Sequence, residues 1–217
     1  MLRLTLPRRP LRLALIGAHC DDIEIGCGGL VLDLAGRGAL ASAEALVLSS
    51  TPDREAESRA ALTAFCTPAT PQMSFGALPD GRLPAHWGEV KDLLQAMAAR
   101  GGADVVLAPS PADAHQDHRL VGELVRTAFR DHLVLHYEIP KWDGDLGAGR
   151  PATYWPLAPG IVARKWQLLD RHYPSQRGHD WWRADTFSAL ARLRGMECRA
   201  DFAEAFACPA AVLAWEE

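Results

Sequence analysis

The chain has 217 residues, a formal net charge of -4 at pH 7 and 48% hydrophobic residues. A chain of this length buries roughly two-thirds to three-quarters of its unfolded surface, so one sizeable core is expected without disulfides or other staples. The mildly acidic balance, with no Lys/Arg cluster beyond Arg8-Arg9, excludes an electrostatic footprint for nucleic acid or an anionic membrane and suits a small neutral or mildly charged substrate.

Five cysteines, at 20, 27, 66, 198 and 208, form no disulfide framework and no C-x-x-C pair, which implies a reducing, cytoplasmic setting. Arg3, Arg8, Arg9 and Arg12 ahead of an apolar run resemble a signal peptide only superficially, because the run is shorter than an h-region. No stretch approaches the roughly eighteen apolar residues of a spanning helix, so no integral membrane segment is expected.

In chain order, Leu11 to Ala18 reads as a strand apolar on both sides, the pattern of a parallel sheet covered on both faces. Gly26, Gly28 and Gly29 suggest a close turn into a helix over Leu30 to Gly36, and Ala45 to Ser49 is the second strand. Pro52-Asp53 opens a helix from Arg54 to Phe65, and a Pro/Gly-rich stretch follows with one short strand near Met73 to Phe75. Val90 to Ala99 is a helix, Asp104 to Ala108 a buried strand, and Leu120, Val121, Leu124, Val125 and Ala128 give the next helix its 3.6 period. His132 to Ile139 returns as a strand. Residues Lys141 to Pro159 form a long Gly/Pro/Trp-rich loop, Ile161 to His172 and Asp185 to Arg194 are helices, and Phe202 to Val212 is a last strand-like segment. The alternation predicts a single-domain α/β fold with a mostly parallel sheet, its core at 11–140 and a loop/helix region at 141–217 contributing to the pocket.

Two polar knots each follow a buried strand: His19-Cys20-Asp21-Asp22 and Asp113-Ala114-His115-Gln116-Asp117-His118. In open α/β sheets ligands bind outside the carboxyl ends of the strands, so both knots should face one crevice. Two imidazoles and a carboxylate make a metal site with an open position, and a neighbouring carboxylate is free to move a proton. The glycines at 26, 28 and 29 do not form G-x-G-x-x-G, and the acidic knot beside them opposes a pyrophosphate.

His19-Cys20-Asp21-Asp22 and His115-Gln116-Asp117-His118 resemble the H-P-D-D and H-x-D-H motifs of the PIG-L/LmbE family of zinc-dependent N-acetylglucosaminyl deacetylases. The resemblance extends through Ile23 to Gly29, the Arg54/Glu57 helix start and Asp104-Val105-Val106, covering Arg12 to about Phe129. It implies a Rossmann-like three-layer sandwich, with His19, Asp22 and His118 as zinc ligands and Asp21 as general base. It also implies that His115 stabilises the oxyanion and helps protonate the leaving amine, that Asp117 orients an imidazole, and that Arg54 lies near the substrate. The cofactor implied is Zn2+, with Fe2+ or another divalent metal as the alternative. Cys20 stands where the family usually has proline, so the turn loses a restraint, and a small buried thiol is favoured over a ligand there.

Glu138, at a strand end, and Trp142, in the long loop, are further candidates for binding substrate, as is the pair Trp181-Trp182. The expected activity is removal of acetyl from an N-acetylated amino sugar or its glycoconjugate. Two alternatives remain at this point: a mononuclear non-haem iron oxygenase using the same donor set, and a non-catalytic, metal-stabilised carbohydrate-binding protein. Neither the sugar conjugate (free, nucleotide-, thiol- or lipid-linked) nor the oligomeric state, a homo-oligomer included, follows from the sequence.

Overall fold

Strand β1, Leu11–His19, shows why its sequence is apolar at nearly every position. Leu13 and Leu15 enter one core, while Ala14, Ile16 and Ala18 enter another on the opposite face of the sheet. Successive strand side chains point to opposite faces, so a strand covered twice cannot alternate with polar residues. The computed structural model describes residues 3–140 and 150–212.

The sheet has seven strands in the order β3-β2-β1-β4-β5-β7-β6. These are β1, β2 (Leu40–Ser49), β3 (Gln72–Phe75), β4 (Val105–Pro109), β5 (Leu133–Tyr137), β6 (Thr153–Leu157) and β7 (Phe202–Ala207). β3, β2, β1, β4 and β5 pair in parallel, whereas β7 runs antiparallel to both β5 and β6. One face is covered by α1 (Asp22–Gly36), α2 (Pro52–Cys66), α5 (Pro159–His172) and α6 (Ala184–Cys198), the other by α3 (Trp87–Arg100) and α4 (Gln116–Ala128). This is the expected single-domain three-layer α/β sandwich with a mostly parallel sheet.

The second strand starts earlier than expected, at Leu40, and the last strand ends earlier, at Ala207; two further elements differ more deeply from the sequence-based expectation. The first helix begins at Asp22, not Leu30, so Gly26, Gly28 and Gly29 lie inside it. They serve close packing: a Cβ on Gly26 would overlap the Tyr137 ring, and one on Gly28 would come within 2.5 Å of Phe65 Cε1. The second is β6, an edge strand in a stretch read from the sequence as loop. Its Pro156 has no backbone N–H to give, a loss tolerated at an edge.

The chain order reverses between β1 and β4: from β1 it runs outward through β2 and β3, and then crosses to β4. The two polar knots sit at the carboxyl ends of these adjacent strands, so the sheet brings together residues almost a hundred positions apart.

Candidate active site

His19 ends β1, Asp22 opens α1, and His118 lies in the first turn of α4. His19 Nδ1 and His118 Nε2 are 3.2 Å apart. Asp22 Oδ2 lies 3.6 Å from the first and 3.3 Å from the second. A tetrahedral centre bound at about 2.0–2.1 Å holds its ligands roughly 3.3–3.4 Å from one another, so this triangle has the dimensions of a three-donor metal site with one open position.

The chemistry of the donors agrees. His19 Nε2 lies 3.0 Å from Asp117 Oδ2 and 3.1 Å from Asp80 Oδ1, so its proton belongs on Nε2 and the Nδ1 lone pair faces the triangle. His118 Nδ1 lies 3.2 Å from Asp113 Oδ2, which leaves the Nε2 lone pair facing inward. Two imidazole lone pairs converging on one carboxylate oxygen fit a divalent cation. Wider groupings, His19-His115-His118 and His19-Asp80-His115-Asp117, bring donor atoms within 4.8 Å of one another. The His19-Asp22-His118 triangle is tighter and leaves Asp80 and Asp117 on the outer nitrogen of His19. Cys20 is in neither group; its thiol is buried, and burial pushes it up to about 12, which suits a packed thiol.

Electrostatics within the cluster are strong. A proton on His118 Nε2 occupies the position a metal would take: burial alone lowers the imidazole, but Asp22 and Asp113 outweigh it and lift it to about 9. For Asp22 burial works upward, and the two imidazoles hold the carboxyl well below its usual range nonetheless. Glu24 is pushed up to about 8 by burial, although the Tyr173 hydroxyl donates to it at 2.6 Å. It therefore keeps its proton near neutrality and adds little negative charge beside Asp21 and Asp22.

Asp21, at the N-cap of α1, has φ 99°, a left-handed conformation that a non-glycine residue adopts at a cost of about 1–3 kcal/mol. Its side chain does not cap the helix. It accepts instead from Arg54 Nη2 at 2.7 Å, and burial, partly offset by that arginine, pushes its carboxyl up to about 6. His115 is the N-cap of α4 and its Nδ1 accepts from the Asp117 backbone N–H at 3.2 Å, which leaves the neutral ring's proton on Nε2. Its ring centroid lies 4.8 Å from that of His19 and 4.7 Å from that of His118.

The cleft holding these groups has a volume of about 280 Å³. Its walls include Asp21, Arg54, His115, Ile139, Gln176 and Trp181. Asp117 is fully buried beneath, accepting from the backbone N–H groups of Gly81 and Leu83 at 2.8 and 3.1 Å as well as facing His19.

Of the residues expected at the site, His19, Asp21, Asp22, Arg54, His115, Asp117 and His118 are brought together. Glu138 is not: it is bound to Arg194 through contacts of 2.8 and 2.5 Å and lines a separate small cavity with Lys165 and Glu204. Trp142 lies outside the described residues. Trp181 lines the cleft, while Trp182 is buried in the aromatic cluster behind it. Sequence reasoning assigned no role to Asp113, although it lies in the second knot, or to Asp80, which lies in the Pro/Gly-rich stretch after Phe65.

Fold and site together define a doubly covered α/β protein with a two-histidine, one-carboxylate donor set at the sheet's switch point. The family model of PIG-L, described as GlcNAc-PI de-N-acetylase, matches residues 14–129. The chain belongs to this family of deacetylases. It is 33% identical over 139 residues to the uncharacterized deacetylase YaiS of Escherichia coli K12, a match covering 58% of this chain and 72% of YaiS. Among solved structures, the conserved protein TT1542 of Thermus thermophilus is 25% identical with a TM-score of 0.75, covering 95% of this chain and 99% of the other. The N,N'-diacetylchitobiose deacetylase of Pyrococcus horikoshii is 16% identical with a TM-score of 0.69, covering 91% and 83%. The 4-carboxy-2-hydroxymuconate hydratase GalB of Pseudomonas putida KT2440 is 15% identical with a TM-score of 0.72, covering 95% and 99%.

Proposed function

We propose that the protein is a zinc-dependent amidohydrolase that removes acetyl from an N-acetylated amino sugar or a glycoconjugate carrying one. The observation that carries this reading is the His19-Asp22-His118 triangle with Asp21 in the same cleft. His19, Asp22 and His118 would hold the metal, and when bound it would polarise the amide carbonyl and make water more acidic. Asp21 takes the proton from the attacking water; a carboxyl pushed up to about 6 is a stronger base than an exposed one and is still ionised at pH 7. His115 donates a hydrogen bond from Nε2–H to the charge growing on the former carbonyl oxygen, and with the ring held there the proton that Asp21 took from water passes to the leaving amine. Asp113 and Asp117 orient the two ligand imidazoles.

The sugar is supported by membership in a de-N-acetylase family and by a fold neighbour acting on N,N'-diacetylchitobiose. Trp181 in the cleft wall offers an apolar face on which a sugar ring can rest. Fold alone does not select the reaction, since GalB shares it, and the deacetylase reading rests on the family and on the site chemistry. The substrate is a small molecule rather than a nucleic acid. Among the described residues no helix is long and apolar enough to cross a membrane. Five free cysteines support placement in the cytoplasm.

The test is a screen of N-acetyl sugar conjugates for acetate release by the zinc-loaded protein, with and without oxygen. Acetate release independent of oxygen is expected and separates hydrolysis from an iron oxygenase. Sugar binding with no acetate from any conjugate would support a binding protein instead. Asp21→Ala should keep one metal per chain and lose about 10²–10⁴-fold in kcat; full turnover by the metal-loaded variant would remove Asp21 from the reaction.

A further inference from the structure

We propose that Arg194 is a positioning residue for the cleft: through Glu138 it fixes the wall formed by Ile139 and Pro140, and so sets how tightly the cleft holds substrate. The inference rests on the reading of this cleft as the deacetylase site. Glu138 directly follows β5 and precedes the two wall residues, both of them buried. Arg194 Nε donates to Glu138 Oε2 at 2.8 Å and Nη2 donates to Oε1 at 2.5 Å. A two-point contact of this kind fixes the orientation of a carboxylate as well as its place. Both side chains are only 9% exposed, so water competes little for the pair.

The wall needs this hold because packing does not supply it. Ile25 and Pro140 line the cleft and also a cavity of about 30 Å³ behind it, which Glu138, Lys165, Arg194 and Glu204 border. A side chain that faces a void has no dispersion partners on that side. The ion pair, and not close packing, therefore opposes a backward shift of Pro140. Arg194 is itself anchored. Its Nη1 donates to both oxygens of Glu197, at 3.0 and 2.9 Å, and Glu197 also accepts from Arg150 Nη2 at 3.2 Å. The neighbouring Gly195 lets α6 lie against the chain entering β7, since a Cβ there would come within 2.7 Å of Asp201 O and Phe202 Cα. The series Glu138, Arg194, Glu197, Arg150 thus ties the end of β5 to the approach to β6, with α6 as its anchor. Glu138, one residue removed from the cleft, acts on substrate only through the wall it carries.

Two measurements on the metal-loaded full chain test this: kcat and KM for acetate release, and hydrogen exchange of the backbone amides from His136 to Ile139. They are made on Arg194→Lys, Glu138→Gln and the double variant. Arg194→Lys keeps the charge but loses the planar fork that grips two carboxylates. Each single variant should raise KM about tenfold and hold kcat within about threefold, because a displaced wall weakens ground state and transition state alike. The double variant should stay within about twofold of the larger single change, since the arginine acts through Glu138 and the two effects cannot add. Exchange from His136 to Ile139 should quicken at least about fivefold in each variant, with β1 unchanged. If Arg194→Lys does not fold, Glu138→Gln carries both comparisons alone. Unchanged KM in the single variants, a fall in kcat at unchanged KM, or unchanged exchange overturns the proposal. A double variant whose KM rises by the product of the single changes also overturns it, because Arg194 would then act by another route. If the parent protein releases no acetate from any conjugate, the deacetylase reading falls, and the exchange comparison still decides whether Arg194 holds the wall.

Discussion

Asp113 and Asp117 hold the outer nitrogens of His118 and His19 at 3.2 and 3.0 Å, and so determine which lone pair of each ring faces Asp22. Asp113 also accepts the His115 backbone N–H at 2.7 Å, so one carboxylate fixes both the loop before α4 and the imidazole within it. Asp113→Asn should weaken metal binding about 10–100-fold, the usual loss when a carboxylate behind a ligand histidine is removed. Competition against a fluorescent chelator measures this, and an unchanged metal affinity would show that Asp113 acts on the loop alone. His19, Asp22 and His118 were legible in the sequence because the residue types needed for a metal are packed into two short motifs at strand ends. Asp80 was not legible. It reaches His19 through the conformation of a turn that Asp117 holds by the N–H groups of Gly81 and Leu83, a relation no local spacing announces.

At the scale of elements, α1 is the least regular reading and the most informative one. Glycines in a sequence signal turns, and here they signal that Tyr137, Phe65 and Glu204 press against a helix. Glu204 on β7 accepts from the backbone N–H groups of Gly29 and Leu30, both at 2.7 Å, donors that a straight helix gives to Ile25 and Gly26. Lys165 on α5 takes up the Ile25 carbonyl at 2.5 Å and pairs with Glu204 at 2.7 Å. Removing one member of a buried pair leaves the other charge uncompensated. Lys165→Met should therefore cost about 3 kcal/mol, the low end for such pairs because Glu204 keeps its two backbone donors. Urea unfolding of the metal-free protein measures the loss, and a cost under about 1 kcal/mol would mean that water replaces the lysine. The β-strand β6 escaped sequence reading for a related reason: its five residues include Pro156, and it exists only by pairing with β7 from the far end of the chain. The cleft wall has a separate test. Trp181→Ala should raise KM for the sugar by about tenfold and change kcat by less, because stacking holds ground state and transition state alike.

Across the whole molecule the two ends of the sheet do different work. The carboxyl ends carry the cleft, whereas near the start of β4 Asp104 fastens the amino-terminal segment to the sheet. Arg9 donates to it through both terminal nitrogens at 2.9 and 2.8 Å, and Arg12 through its backbone N–H at 2.9 Å and Nη2 at 3.1 Å. Arg9 and then Arg12 hold the Asp104 carboxyl well below the usual carboxylate range. The folded protein therefore takes up this proton less readily than the unfolded chain, whose value is about 3.9. The stabilisation is fully present above that value and is lost as pH falls below it toward the depressed folded value. Both arginines are about half exposed, at 53% and 49%, so solvent screens the pair. Asp104→Asn should accordingly destabilise the protein by only about 1 kcal/mol at pH 7. The gap should narrow below about pH 5 and also at about 1 M salt. Urea unfolding of metal-free protein at pH 7, 5 and 4 tests this without interference from metal release. Acetate-release kinetics of the metal-loaded variant at pH 7 should match the parent protein. A gap that stays constant with both pH and salt would show that Asp104 holds the segment by its neutral hydrogen bonds, not by its charge.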